Sequence, residues 1–269
     1  MPKAAVLGSP IAHSKSPLLH TAAYRMLGLA WTYERHDVDE AGFAPFLAAH
    51  AGEFRGLSLT MPLKRVAYEA AEMLDDAARA TGAVNTLVFG DALHGYNTDV
   101  VGFVEALREA GVPMADEACV IGTGATSRSA AYALKLLGAR RIHVVGRRRD
   151  AIEAMVDWGT GIDVTMVPHD WADPAVPVPV TIATTVAGST DERPVPPGPG
   201  VLFDCLYSPW PTPFAARWQN AGGRVIGGLD LLVHQAAEQV ILMTRVHPDN
   251  RGAIVLAMQG ALRTVSRPA

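Results

Sequence analysis

The chain has 269 residues, 49% of them hydrophobic and 19% charged. That length exceeds the roughly 100–150 residues of most single domains, and the apolar content argues against extensive disorder, so two modest packed domains are expected. A formal net charge of -4 offers no basic field for nucleic acid or an anionic membrane, which leaves small molecules as the expected partners.

The first hundred residues alternate short apolar runs with amphipathic stretches. Their periodicity predicts a strand over 4–8, a helix over 17–28, a strand over 31–36, a helix over 40–50 and a strand over 56–60. Runs at 84–89 and 93–96 flank Gly90-Asp91 and read as a hairpin. An amphipathic helix over 98–111 ends at Gly111, and a second unit starts with a strand over 118–122. Then follow a helix over 126–137, a strand over 141–146, a helix over 150–158, and strands over 163–167, 180–184 and 201–206, which is a doubly wound pattern. The prolines at 174–179 and 193–199 mark loops, and helices over 229–246 and 249–264 break at His247-Pro248. The fold class expected is α/β: an N-terminal α/β substrate domain, a Rossmann-type dinucleotide domain, and C-terminal helices packing back on the first domain.

Cys119 and Cys205 sit in apolar strand-like runs without disulfide or zinc spacing and read as core thiols. The N-terminal apolar run is shorter than the roughly 7–15 residues of a secretory signal core, and no stretch reaches the roughly 18 apolar residues of a membrane span. A reducing cytoplasm is the expected location. His13, His20, His36 and His94 are scattered without metal-ligand spacing, and no metal is expected.

The apolar strand ending at Ile121 runs into Gly122-Thr123-Gly124-Ala125-Thr126-Ser127-Arg128 and a helix, the context a dinucleotide fingerprint needs. Gly122 permits a tight turn and Gly124 a close approach of pyrophosphate to the backbone, at the positive end of a helix. The third glycine position holds Ser127. The plainer reading is a tight βα turn. The next strand ends in Gly146-Arg147-Arg148-Arg149, where a carboxylate would select NAD. Guanidiniums there fit a 2′-phosphate, so NADP is the expected cofactor, with Arg147 also able to stack on adenine.

Polar residues crowd the ends of the first-domain strands: Ser14, Ser16, Thr60, Lys64, Asn85 and Thr86. Singly each has a bland reading: Ser16 an N-cap for the helix at Pro17, Asn85 a turn residue, Asp99 an N-cap, Lys64 a surface lysine. In combination they resemble a family. The order Gly-Ser-Pro-Ile-Ala-His-Ser-Lys-Ser-Pro from Gly8, Thr-Met-Pro-Leu-Lys from Thr60, Gly-Ala-Val-Asn-Thr from Gly82 and Tyr-Asn-Thr-Asp from Tyr96 is similar to shikimate dehydrogenase. The likeness continues through Gly122–Arg128, Asp204-Cys205-Leu206-Tyr207-Ser208-Pro209 and Gly228-Leu229-Asp230-Leu231-Leu232-Val233-His234-Gln235, and so covers nearly the full length.

The resemblance implies a discontinuous substrate domain, 1–99 with 232–269, and an NADP domain, 100–231, with a cleft between them that brings nicotinamide to the ring carbinol. It implies reversible NADPH-dependent reduction of 3-dehydroshikimate to shikimate, by a monomer or homodimer. Lys64 and Asp99 would be the catalytic pair. Ser14 and Ser16 would hold the carboxylate, Thr60, Asn85, Asp99 and Gln235 the hydroxyls, and Tyr207 would line the cleft. Gly122, Thr123, Gly124, Ala125, Thr126, Arg147, Arg148, Thr184, Thr185, Val186, Gly228 and Leu231 would hold the cofactor. Three departures from the family pattern stand out: Ser58 where asparagine is common, which makes its substrate contact shorter or water-bridged; Ala125-Thr126 for Gly-Ala; and Val240-Ile241-Leu242 for an aromatic run.

The chemistry of the pair stands on its own logic. Hydride reduction of a ketone leaves an alkoxide that must gain a proton, and a lysine hydrogen-bonded to that oxygen can supply it while a carboxylate holds the amine in place. Two such groups in contact titrate as a unit. A quinate or aminoshikimate dehydrogenase would share the fold and the pair, and a non-catalytic NADP sensor remains a rival of another class.

Overall fold

The computed structural model describes residues 1–50, 52–113 and 115–265. The chain divides into two compact units, Met1–Gly102 with Leu232–Ala269, and Phe103–Leu231.

Unit 1 opens with β1 (Lys3–Gly8), α1 (Ser16–Met26), β2 (Thr32–Asp37), α2 (Glu40–Ala49) and β3 (Gly56–Leu59). β2 and β3 lie parallel on either side of β1. The run Ala4-Ala5-Val6-Leu7 is buried throughout, as a strand covered on both faces requires. The chain leaves β1 toward one neighbour and comes back on the other, so a crevice opens where the carboxyl ends of β1 and β3 meet. Next come α3 (Lys64–Ala70), β4 (Met73–Leu74), α4 (Asp76–Thr81), the antiparallel hairpin β5 (Thr86–Phe89) and β6 (Leu93–Tyr96), and α5 (Thr98–Glu109). β5 pairs antiparallel with β3, and the sheet order is β2-β1-β3-β5-β6-β4.

Unit 2 contains β7 (Glu117–Ile121), α6 (Ala125–Leu136), β8 (Arg141–Gly146), α7 (Arg149–Gly161), β9 (Thr165–Asp170), β10 (Val180–Ala183), β11 (Val201–Asp204), α8 (Pro213–Asn220) and β12 (Arg224–Gly227). Its sheet is wholly parallel in the order β12-β11-β10-β7-β8-β9. That is the doubly wound arrangement, with its switch between β7 and β10. α9 (Gly228–Thr244) and α10 (Arg251–Val265) follow, and α10 packs along α1, which ties the C-terminal helices to unit 1.

The α/β class and the doubly wound second unit read from the sequence are what the structure has. The differences are local. α3, α4, α8, β4 and β12 escape the periodicity because they hold only two to eight residues each. α7 continues past residue 158 through Gly159, whose missing Cβ matters: one built there would lie 2.3 Å from Met166 Cγ on β9. β9 runs over 165–170 rather than 163–167 and includes Pro168, tolerated because β9 is an edge strand. α1 begins at Ser16 itself with Lys15 as its N-cap, so Ser16 does not cap it. α5 starts at Thr98, so Asp99 lies within its first turn.

α9 meets the unit 1 sheet closely. A Cβ on Gly56 would lie 2.5 Å from Met243 Cγ, so glycine at the start of β3 lets the helix come down onto the strand. Gln235, Gln239 and Met243 recur every four residues and therefore share one side of that helix.

Candidate active site

The unit 1 residues singled out in the sequence gather at one end of the sheet. Ser14 and Ser16 follow β1, and the Ser16 N–H donates to Ser14 Oγ at 3.3 Å. Thr60 follows β3 with its N–H on the Leu7 carbonyl, 2.9 Å away, so the parallel pairing of β1 with β3 sets Thr60 beside Gly8. Lys64 opens α3 and Asp99 lies in the first turn of α5, and the Lys64 ammonium donates to Asp99 Oδ2. Their side chains are only 14% and 8% exposed, so Lys64 is not the surface lysine of the bland reading.

Asn85, 2% exposed, holds the other carboxylate oxygen: its Nδ2 donates to Asp99 Oδ1 at 2.8 Å. The orientation of that amide is fixed. The Thr98 backbone N–H can only donate, and it donates to Asn85 Oδ1 at 2.8 Å, so Nδ2 must face Asp99. Asn85 is thus no ordinary turn residue. Gln235 folds its Nε2 back onto the Leu232 carbonyl at 2.8 Å. Tyr207 lies in unit 2, half-buried, with burial raising its phenol above the ordinary value.

Ser58 requires a correction. The resemblance implies a contact with substrate, but Ser58 is 4% exposed and accepts from the Tyr33 hydroxyl at 2.7 Å while donating to Gln239 Oε1 at 2.7 Å. Its one proton is committed inside the core. Strand alternation is the cause, since Leu57 and Leu59 point into the apolar core of α2 and α3 and Ser58 faces the opposite side.

That side carries a polar network absent from the sequence reading. Gln239 Nε2 donates to Thr86 Oγ1 at 3.0 Å and to the Asn85 carbonyl at 3.4 Å. Its Oε1 lies 3.2 Å from His20 Nε2, and His20 Nδ1 lies 3.4 Å from the Tyr24 hydroxyl. The only signal available in sequence is a second glutamine one turn beyond Gln235, on the same side of the helix.

His20 is fully buried, and desolvation pushes its imidazole down to about 3. The unfolded chain takes up that proton near pH 6.5, before the folded one can, so its contribution to stability is complete above that pH and is lost as pH falls toward 3. Denaturant unfolding between pH 7 and pH 4 should show this as up to about 1.4 kcal/mol per pH unit from this residue within the window. A His20→Gln variant should have the shallower dependence; equal slopes in both proteins would remove His20 from the account.

In unit 2 the glycine turn lies at the switch between β7 and β10. Gly122 has φ +127°, a conformation that L side chains rarely adopt, and a Cβ there would lie 2.4 Å from Thr184 Oγ1. Gly124 caps α6, and a Cβ on it would meet nothing within 4 Å. Ser127, where the fingerprint has glycine, accepts from the Gly124 N–H at 3.0 Å and lies 2.7 Å from Thr184 Oγ1, stitching the helix start to β10. A small hydroxyl replaces close glycine packing with a hydrogen bond, and Ala125 and Thr126 form the first turn behind it. Thr123 packs against Gly146, where an added Cβ would lie 2.8 Å from its methyl.

Of the three arginines after β8, Arg149 pairs with Glu153 down its own helix at 3.1 Å. Arg147 lies over the Trp171 ring at 4.7 Å and donates to the Ser189 carbonyl, and Arg148 is exposed beside Asp150 at 3.6 Å. Thr184 and Thr185 follow β10, with Val186 exposed beyond them. Gly228 is explained by packing, because a Cβ there would lie 2.0 Å from the Cys205 carbonyl oxygen, and Leu231 is buried. Cys119 is an inert core thiol whose burial raises it to about 12, and Cys205 is also free. Among the described residues no His, Cys, Asp or Glu cluster could hold a metal, and no helix is long and apolar enough to cross a membrane.

The open space over Gly124, the helix start behind it and the guanidiniums at the end of β8 fit a dinucleotide bearing a further phosphate. With the Lys64–Asp99 pair in unit 1, these features define a dehydrogenase built of an α/β substrate unit and a Rossmann unit. Comparison narrows the class. The family model described as the shikimate dehydrogenase substrate binding domain matches residues 6–87. A shikimate dehydrogenase (NADP(+)) of Moorella thermoacetica is 34% identical over 276 residues, 96% of this chain and 92% of its own. The solved shikimate dehydrogenase of Mycobacterium tuberculosis gives a TM-score of 0.84 at 37% identity, covering 97% of this chain and 100% of that one. The shikimate 5-dehydrogenase of Thermus thermophilus, solved in complex with NADP(H) and shikimate, gives 0.83 at 31% identity over 97% and 100%. The chain belongs to the shikimate dehydrogenase family.

Proposed function

We propose that this chain catalyses the reversible NADPH-dependent reduction of 3-dehydroshikimate to shikimate, within aromatic amino-acid biosynthesis. The observation that carries the reading is the largely buried Lys64–Asp99 pair, with Asn85 fixing the second carboxylate oxygen. A protein that only sensed a ligand has no use for such a pair. The lack of a carboxylate at the end of β8, with Arg147 and Arg148 in its place, supports NADP over NAD.

Bound in unit 2, the nicotinamide supplies hydride in one direction and accepts it in the other. Gly122, Thr123, Gly124, Ala125 and Thr126 would cradle the pyrophosphate, Arg147 and Arg148 the 2′-phosphate, and Thr184, Thr185 and Val186 would lie along the cofactor. In unit 1, Ser14 and Ser16 hydroxyls hold the substrate carboxylate, and Thr60, Asn85 and Gln235 bind ring hydroxyls. Lys64 Nζ is the proton donor to the developing alkoxide and the acceptor in reverse, while Asp99 Oδ2 keeps the amine aimed. Both thiols being free suits a reducing cytoplasm.

The test follows absorbance of reduced nicotinamide with shikimate or quinate, each with NADP or NAD. Shikimate with NADP should have the highest kcat/KM of the four pairings. A higher value for quinate with NAD overturns the choice of substrate and cofactor, and no turnover with any pairing overturns the dehydrogenase reading itself.

A further inference from the structure

We propose that Gln239 is a positioning residue for the Lys64–Asp99 pair, acting through a one-directional relay of hydrogen bonds in which Thr86 and Asn85 are the links. The inference rests on the reading of that pair as the proton-handling centre. Gln239 itself touches neither Lys64 nor Asp99.

The direction of the relay follows from which groups can only donate and which can only accept. The Asn85 carbonyl can only accept, so the nitrogen of the Gln239 amide must lie on that side, where it also donates to Thr86 Oγ1 at 3.0 Å. Asn85 Oδ1 can only accept, so the Thr86 hydroxyl sends its own proton there, at 2.9 Å. Asn85, anchored by the Thr98 N–H, presents Nδ2 to Asp99 Oδ1 at 2.8 Å. Asp99 Oδ2 takes Lys64. Every proton from Gln239 onward therefore points toward the carboxylate.

The other end of Gln239 is fixed just as firmly. Its Oε1 can only accept, so His20 bears its proton on Nε2, and a neutral imidazole then accepts at Nδ1 from the Tyr24 hydroxyl. Burial holds His20 neutral down to about pH 3, which keeps this tautomer in place over the working range. The Ser58 hydroxyl donates to the same Oε1 at 2.7 Å and is itself held by Tyr33. With two donors on its oxygen and two acceptors on its nitrogen, the Gln239 amide has one orientation and cannot flip.

The sheet supplies the rigid frame. Ser58 and Thr86 are register partners across β3 and β5, and Gln239 sits over both from α9, one turn before the close contact of Met243 with Gly56. Gln239 is 2% exposed and Thr86 is fully buried, so no water competes for these bonds and each link polarises the next. A carboxylate held at one oxygen by Lys64 alone would be free to rotate, whereas the relay fixes its plane and so the direction in which Lys64 Nζ points.

The experiment uses full-length Gln239→Met, which keeps length and removes the amide, and Thr86→Val, which keeps shape and removes the hydroxyl. Two readouts are taken. The first is the Asn85 side-chain amide signal in a 15N spectrum of the ligand-free protein, which should move in both variants. The second is steady-state kinetics, where kcat should fall about threefold to tenfold, the worth of one buried hydrogen bond, and by more than KM for shikimate rises. In an Asp99→Asn background the Gln239→Met change should cost no further rate, because its effect passes through that carboxylate. An unmoved Asn85 signal overturns the proposal, as does an unchanged kcat in a folded variant, or a rate loss that persists undiminished without Asp99. Should Gln239→Met fail to fold, Thr86→Val decides alone. A wild-type protein without turnover sinks the dehydrogenase reading, and the spectrum still decides whether the relay exists.

Discussion

Lys64→Ala should lower kcat by about 10²–10⁴-fold, the range over which a positioned proton donor acts, while the variant keeps its affinity for NADP. The affinity should survive because Gly122, Gly124 and the β8 arginines lie in the other compact unit. The fold should survive too, since Asp99 keeps the Asn85 amide on Oδ1 after its cation is gone. Near-normal melting with collapsed turnover would place the loss in chemistry; more than about a tenth of the wild-type kcat remaining would remove Lys64 from the proton transfer. Asp99→Asn is the companion variant. Its amide oxygen must stay toward Asn85 Nδ2, so its nitrogen turns toward Lys64 and sets two donors face to face. A loss in kcat larger than any rise in KM for shikimate is the expected result, for the amine would be displaced while the serines after β1 are untouched.

What the sequence discloses is what is encoded within a few residues. The turn at Gly122–Arg128 is legible because its glycine, its helix start and its strand are contiguous, and the arginines after β8 because their place is defined by the strand that ends there. Lys64 and Asp99 are legible by type and motif, but their contact spans 35 positions and only the sheet creates it. Ser58 shows where local reading fails. Its partner Gln239 lies 181 residues away, on a helix returning after the whole of unit 2, and nothing in a four-residue strand announces that. Short elements fail for another reason. α4 spans six residues and is set by its ends, Asp75 accepting from the Ala78 N–H at 2.7 Å and Gly82 in the left-handed conformation, rather than by an apolar stripe.

A pair of alanine substitutions in the glycine turn should separate what the fold needs from what the cofactor needs. Gly122→Ala puts a side chain at φ +127° and a Cβ 2.4 Å from Thr184 Oγ1 and 2.9 Å from Ser127 Oγ, the two hydroxyls that join α6 to β10. The backbone strain alone costs about 1–3 kcal/mol, and relief by turning the peptide would move the first turn of α6. Both thermal stability and NADP affinity should therefore fall, the affinity by about tenfold or more. Gly124→Ala differs at each point. Its φ is −89°, and a Cβ there meets nothing within 4 Å, so the ligand-free protein should melt as the wild type does. If the pyrophosphate occupies the space over Gly124, that methyl fills it, and affinity for NADP should drop without loss of stability. Calorimetric titration with NADP beside thermal melts of both variants makes the comparison. Undiminished binding in Gly124→Ala would move the phosphates away from the start of α6, and an unstrained Gly122→Ala would mean that the turn can relax without the helix.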